Sequence, residues 1–376
     1  MKNTAPKTVS FSGDGLLKMK REGKISEGLL NILRERAEAH LLAPRLAVTE
    51  RRAKAVSGNA HDYASYGTYW WPNPDTPDGL PFVRRDGEGS PFVENVITYR
   101  RMTEAAFELS LAAFWLGEEK YARAAERVLY DWHLNPETYM TPHAEYSQSI
   151  PGICNGRGIG IIDFSMSSYQ VFDAVGILEY LGYISEENVS GLKRWYTEFT
   201  DWCLTSQNGI EEDLEPNNHG TYFDVSILAA AIFTGREALI KKLCTTAYDR
   251  RITPEIEPDG AQPLELRRTK GMTYSISNLK ALALFANMAA ANGYDGYVSY
   301  DARYGTCAIK KALDFLYPYA LDMNSFPYTE LKPSLVGERI KELLLWGSVR
   351  FDDPKYLELA RKASDAEHIR AAYPMI

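Results

Sequence analysis

Residues 215–233 read Glu215-Pro216-Asn217-Asn218-His219-Gly220-Thr221-Tyr222-Phe223-Asp224-Val225-Ser226-Ile227-Leu228-Ala229-Ala230-Ala231-Ile232-Phe233. The last nine positions are apolar enough for a helix buried among other helices. Pro216 cannot continue a helix, and Asn217 or Asn218 suits the N-cap, so the helix is expected to start there. His219 then sits in the first turn, where the positive end of the helix dipole disfavours imidazolium and favours a ring that accepts a proton. Polar groups at the mouth of a buried helix cost free energy unless they are paired or used. A capped core helix with a satisfied histidine would account for the same residues, so the rest of the chain has to decide.

On either side the helical pattern recurs. Apolar residues fall at helical spacing near 25–48, 95–117, 119–133, 163–183, 187–206, 218–235, 236–250, 271–292, 304–321, 334–347 and 353–364. Gly117, Gly182, Asn208-Gly209, Gly235, Asn292-Gly293 and Asp352-Asp353-Pro354 supply the breaks. Alternating strand patterns are scarce. Short turns between successive helices imply antiparallel hairpins. No repeat of fixed period is visible, which favours a curled array over a solenoid. The expected fold is all-α: an (α/α) toroid or incomplete barrel of helical hairpins, a single domain over residues 1–376, with residues 1–24 an extended lead-in.

Three irregular segments interrupt the helices. Residues 55–90 are rich in Gly, Pro and aromatics, including Tyr69-Trp70-Trp71-Pro72 and Arg84-Arg85-Asp86-Gly87, and a loop this long in a compact chain suits a lid or binding loop. Residues 141–163 offer Gln148 and Arg157 to a cavity. Residues 257–275 place Arg267 and Arg268 shortly before Tyr274 at a helix entrance.

Composition narrows the function. The chain has 376 residues, with 42 Lys plus Arg against 50 Asp plus Glu, a formal net charge of −8. That balance argues against a nucleic-acid partner, while leaving room for a local basic groove. No apolar run reaches membrane-spanning length and the N-terminus has no signal-like apolar core, so a cytoplasmic protein without a membrane partner is expected. Cys154, Cys203, Cys244 and Cys307 are widely spaced, and the histidines lack His-Glu-x-x-His spacing, so neither metal nor cofactor is expected. The glycines around Gly156-Arg157-Gly158 follow no strand and precede no phosphate-binding Lys, and no Gly-x-Ser-x-Gly elbow occurs. The 24 Tyr and 7 Trp suit sugar platforms as well as an ordinary core.

One chemistry uses these groups together. In a uronic-acid polymer the C5 proton lies α to the C6 carboxylate, and its removal expels the C4-linked sugar by β-elimination. The carboxylate must be neutralised, which an Arg fork and an Asn amide can do. A base takes the C5 proton and an acid protonates the leaving oxygen, roles open to a neutral His and a Tyr. Asn218, His219, Arg268 and Tyr274 supply one of each. Glycoside hydrolysis would instead require two facing carboxylates, for which Glu212, Asp213, Glu215 and Asp224 are candidates. A helical protein that only binds acidic glycans is the non-catalytic alternative.

Asp62-Tyr63 with Tyr69-Trp70-Trp71-Pro72, Arg85-Asp86-Gly87, Ile150-Pro151-Gly152 with Gly156-Arg157, Asn217-Asn218-His219-Gly220, and Gln262-Pro263-Leu264-Glu265-Leu266 with Arg268-Thr269 and Tyr274-Ser275 together resemble the alginate-lyase superfamily of polysaccharide lyases. The resemblance spans about 60–290 and implies metal-independent β-elimination giving 4,5-unsaturated uronate ends. It implies that Asn218 neutralises the carboxylate, His219 is the base in anti elimination, Arg268 helps bind the carboxylate, and Tyr274 is the acid, and also the base in syn elimination. Arg267 is an alternative occupant of the arginine role. Tyr69, Trp70, Trp71, Arg85, Gln148 and Arg157 are expected to bind substrate, an acidic poly- or oligosaccharide, with glucuronan an alternative to alginate. Glu212 is expected mostly solvated rather than orienting His219.

Overall fold

The computed structural model describes residues 4–51, 54–91, 94–363 and 373–374. Helices α1 (Gly13–Arg21) and α2 (Glu27–Leu42) open the chain. Short strands β1 (Ala64–Tyr66), β2 (Trp70–Trp71) and β3 (Val83–Arg84) precede the long hairpin of α3 (Glu94–Leu116) and α4 (Glu119–His133). Strand β4 (Tyr146–Ser149) leads to α5 (Ile162–Ser165), α6 (Tyr169–Leu181), α7 (Glu186–Thr205) and α8 (Gln207–Asp213). Then come α9 (Asn218–Thr234), α10 (Glu237–Ala247), α11 (Thr253–Glu255), α12 (Pro263–Leu266) and α13 (Gly271–Ala291). Helices α14 (Ala308–Leu321), α15 (Val336–Arg350) and α16 (Pro354–Ala363) complete the described chain.

The helices sort into two layers, and burial shows why. In α4 the buried Tyr121, Ala122, Ala125, Leu129 and Trp132 recur at helical spacing, leaving one face for solvent. In α9 every residue from Gly220 to Ala231 is buried, so neighbours must surround it. Accordingly α3 packs on α6, α6 on α9, α9 on α13 and α13 on α15 as an inner series. Outside them α4 lies on α3, α7 and α10 on α9, α14 on α13, and α16 on α15. Each fully buried side chain such as Phe223 or Leu228 contributes about 1.5–3 kcal/mol. One continuous core runs from Val9 to Ala360, and the array is the expected (α/α) toroid.

The N-terminal segment is not the extended lead-in that its composition suggests. Ser12 caps α1, its hydroxyl accepting from the Gly15 amide at 3.0 Å. Just before that helix, the amides of Val9 and Ser10 donate to the buried Asp173 carboxylate on α6 at 2.6 and 3.1 Å. Gly176, one turn further along α6, makes room for this strand: a Cβ there would lie 2.1 Å from the Lys7 carbonyl oxygen. Residues 1–3 of the segment lie outside the described residues.

Other boundaries shift for local reasons. The predicted helix 163–183 breaks into α5 and α6 around Met166–Ser168. Helix α14 begins at Ala308, where the Cys307 sulfur accepts from the Lys310 amide. The predicted 353–364 helix ends at Ala363, with residue 364 outside the described residues. Helix α10 runs into a wide π turn, Tyr248–Ile252, which carries Arg251 inward. Two short sheets tie the irregular segments down: β1 runs parallel to β4, and β2 pairs antiparallel with β3, Trp70 opposite Arg84. The four cysteines are unpaired. Among the described residues no helix is long and apolar enough to cross a membrane.

Gly176→Ala should lower stability by about 1–3 kcal/mol, the usual cost of overpacking a tight contact. Urea unfolding midpoints check this, and an unchanged midpoint would show that residues 7–10 do not press on α6.

Candidate active site

A cavity of about 740 Å³ opens where the first turns of α9 and α13 meet the 55–90 and 141–163 segments. Arg84, Arg100, Arg157, Arg268, Lys270, Lys280 and Arg339 line it, against the carboxylates Glu215 and Glu342. A protein of net charge −8 thus presents a cationic cleft. Such a cleft focuses field lines and concentrates anionic ligands. A smaller hollow of about 100 Å³ deepens it past Tyr169, Tyr222, Lys280 and Glu342.

The Asn-Asn-His run enters the cavity as a helix cap. The Asn217 side chain accepts from the His219 amide at 2.9 Å, fixing the first turn of α9. Gly220 follows because there is no room for a side chain: a Cβ would lie 2.2 Å from the Glu215 carbonyl oxygen and 2.5 Å from the Arg251 Nη1. That guanidinium binds Asp224 on α9 at 2.9 Å and Asp213 at the end of α8, also at 2.9 Å. Arg250 reaches the same two carboxylates, so a pair of arginines bridges α8 and α9.

That corner delivers Glu212 to His219. The Glu212 carboxylate is fully buried, contrary to the expectation that it is solvated, and lies 3.1 and 3.2 Å from His219 Nδ1. With Nδ1–H donating to Glu212, Nε2 is left as the acceptor toward the cavity. Burial alone would lower the His219 pKa, but the Glu212 charge and hydrogen bond outweigh it and raise the imidazole above its ordinary value. The shift is opposite in sign to the one expected from the helix dipole. Glu212 itself is pushed up by burial, so the pair keeps a proton to higher pH than a free imidazole does.

Asn218 is held from behind. Its backbone amide donates to Glu265 Oε1 at 2.7 Å, and its Nδ2 lies 2.9 Å from both Glu265 oxygens. Glu265 belongs to the Gln262–Leu266 motif but is not among the site residues expected from sequence. Burial raises its pKa.

Across the cavity, Arg268 Nη2 donates to the Tyr274 hydroxyl at 3.1 Å and to Asp86 Oδ1 at 3.3 Å. Its guanidinium carbon stands 4.2 Å from the Tyr274 ring centroid. Thr269 Oγ1 donates to Asp86 Oδ2 at 2.9 Å, so Asp86 ties the 55–90 segment to the start of α13. Tyr69 and Tyr274 share a short hydroxyl–hydroxyl hydrogen bond. Burial, then the neighbouring Tyr69, push the Tyr274 phenol far above its ordinary pKa, so it stands protonated.

The remaining expected binding residues divide. In the β2–β3 pair, cross-strand partners Trp70 and Arg84 share a face and both line the cavity. Trp71 and Arg85 are not among the lining residues, because the strand period turns them to the other side. There Arg85 lies 5.2 Å from the Trp71 ring, and the indole N–H donates to the Glu88 carbonyl. Arg267 is exposed at the end of α12 and also stays out, leaving Arg268 as the arginine of this motif in the cavity. Gln148, in the left-handed region at φ 46°, accepts from Arg157 Nη2 at 2.9 Å and donates to the buried Asp163 at 2.9 Å. It aims Arg157 into the cleft. Among the described residues no group of three or more His, Cys, Asp or Glu side chains is arranged to hold a metal.

Fold and cleft together are those of a polysaccharide lyase built on a helical toroid. The chain belongs to the alginate lyase family, whose model matches residues 47–326. An alginate lyase from Bacteroides ovatus has a crystal structure with 31% identity and a TM-score of 0.89, over 96% of this chain and 97% of that one. A variant of alginate lyase A1-III complexed with tetrasaccharide shares the fold at 14% identity and a TM-score of 0.61, over 94% and 90% of the two chains. A1-III comes from Sphingomonas species A1. An alginate lyase of Pseudomonas syringae pv. syringae (strain B728a) is 26% identical over 115 residues, a stretch that spans only 29% of either protein.

Glu212→Gln removes the charge that raises His219. The imidazole resonances should titrate above the ordinary value in the native protein and at lower pH in the variant. NMR titration checks this, and an unmoved midpoint would separate Glu212 from control of the ring.

Proposed function

We propose that this protein cleaves a uronate-containing poly- or oligosaccharide by β-elimination without a metal ion. One observation carries the reading: two proton-handling groups face one cation-lined cleft, an imidazole held at Nδ1 by Glu212 and made more basic by it, and a phenol that holds its proton. Arg268, aided by Asn218, neutralises the C6 carboxylate of the reacting residue. His219 Nε2 takes the C5 proton. The C5–H electron pair becomes the C4–C5 double bond, and the C4–O bond breaks. The leaving oxygen takes the Tyr274 proton, and the tyrosinate left behind is stabilised by the Arg268 guanidinium beside it.

The hydrolytic alternative lacks its carboxylates. Glu212 is bound to His219, and Asp213 and Asp224 to Arg251. In the cleft, Glu215 accepts from Asn217 at 3.0 Å and Glu342 is paired with Lys280 at 3.0 Å. No free facing pair is left among these residues for hydrolysis.

Polymannuronate, polyguluronate and glucuronan, each with EDTA present, should be screened for the ultraviolet absorbance of an unsaturated uronate. A rise is expected on at least one, and that one names the sugar. His219→Ala and Tyr274→Phe should each lose about 10²–10⁴-fold in turnover with the fold retained. Normal turnover in both variants would remove the assignment.

Arg268→Ala should damage turnover of the free uronate far more than of its methyl ester, which carries no charge to neutralise. Equal losses on both substrates would take Arg268 out of the carboxylate role.

A further inference from the structure

We propose that Lys270 and Arg339 form a second carboxylate site, which holds the uronate next to the one being cleaved. The inference rests on the lyase reading and extends it to a recognition element that the reaction itself does not need. Both residues line the cleft, Lys270 just before α13 and Arg339 on the first turn of α15. Arg339 Nη1 donates to the Thr273 hydroxyl at 2.7 Å, one residue before Tyr274. The Lys270 ammonium lies 5.5 Å from the ring centroid of Tyr69, the partner of Tyr274. The two cations therefore flank the tyrosine pair without touching the reacting groups.

Neither cation has a carboxylate within ion-pairing distance among the described residues, and the nearby carboxylates are engaged elsewhere. Asp86 binds Arg84, Arg268 and Thr269. Glu330, whose backbone bridges to Lys270, turns its carboxylate to the amides of Thr273 and Lys332. Glu342 is paired with Lys280. Burial, then Lys332 and Arg339 nearby, hold the Lys270 ammonium below its ordinary pKa. Two half-buried like charges facing one cavity repel each other until an anion lies between them. In a polyuronate that anion is the carboxylate of the neighbouring sugar.

The test is calorimetric binding of mannuronate and glucuronate tetrasaccharides to the His219→Ala protein, which binds without turnover, alone and with Lys270→Met or Arg339→Gln added. Glutamine removes the charge and leaves a polar side chain at the position. Each addition should weaken the tetramer that binds by about 10-fold or more, the loss expected for one charge-assisted contact. In the otherwise native enzyme the same changes should raise KM far more than they lower kcat. Unchanged tetramer affinity in both variants, with turnover of the polymer intact in the native protein, would overturn this site alone. Failure of His219→Ala to bind either tetramer, with no turnover by the native protein, would overturn the site and the lyase reading together.

Discussion

The contact between Glu212 and His219 is the constraint on which the site depends. A fully buried carboxylate is stable only if it is paired, and losing its partner costs about 3–5 kcal/mol. The imidazole is therefore both a catalytic candidate and the group that satisfies this carboxylate. Its position follows from the α8–α9 corner, where Arg250 and Arg251 both bind Asp213 on one helix and Asp224 on the other. Gly220 is small because the Glu215 carbonyl and Arg251 both press on it. Four residue types within the 212–224 stretch are thus fixed by one electrostatic arrangement.

The opposite wall repeats the logic with different chemistry. Asp86 gathers Arg268 and Thr269, so the 55–90 segment and the start of α13 share an anchor. Arg268 then serves two purposes, lying against the Tyr274 ring and hydrogen-bonding its hydroxyl. Charge is distributed unevenly: the buried Glu212 and Glu265 sit behind His219 and Asn218 and hold them, while the cavity lining carries seven cations against Glu215 and Glu342. The net charge of −8 describes the whole surface and gives no hint of this local reversal.

Much of the fold was legible because its signals are local. An apolar run behind Asn217-Asn218 can only be a buried, capped helix, and α9 spans Asn218–Thr234 as that reading expects. The four residues expected to act together were picked out by type and order, and the structure brings all four to one cavity. What stayed hidden depends on contacts remote in sequence. The burial of Glu212 comes from helix packing that no local pattern encodes. The outward turn of Trp71 and Arg85 comes from a two-residue strand pairing too short to leave a periodic signal. Asp173, more than 160 positions from Val9, pins a segment that by composition read as an extended lead-in. Lys270 and Arg339 are 69 positions apart. They become neighbours of one tyrosine pair only after α15 has packed on α13.

Elimination and hydrolysis differ in the fate of one water molecule, and that difference tests the central claim most directly. The susceptible uronate polymer is digested in heavy-oxygen water and its products are weighed by mass spectrometry. The account predicts new non-reducing ends lighter by one water, with no heavy oxygen placed at the cleaved bond. Saturated products carrying one heavy oxygen for each bond broken would contradict it.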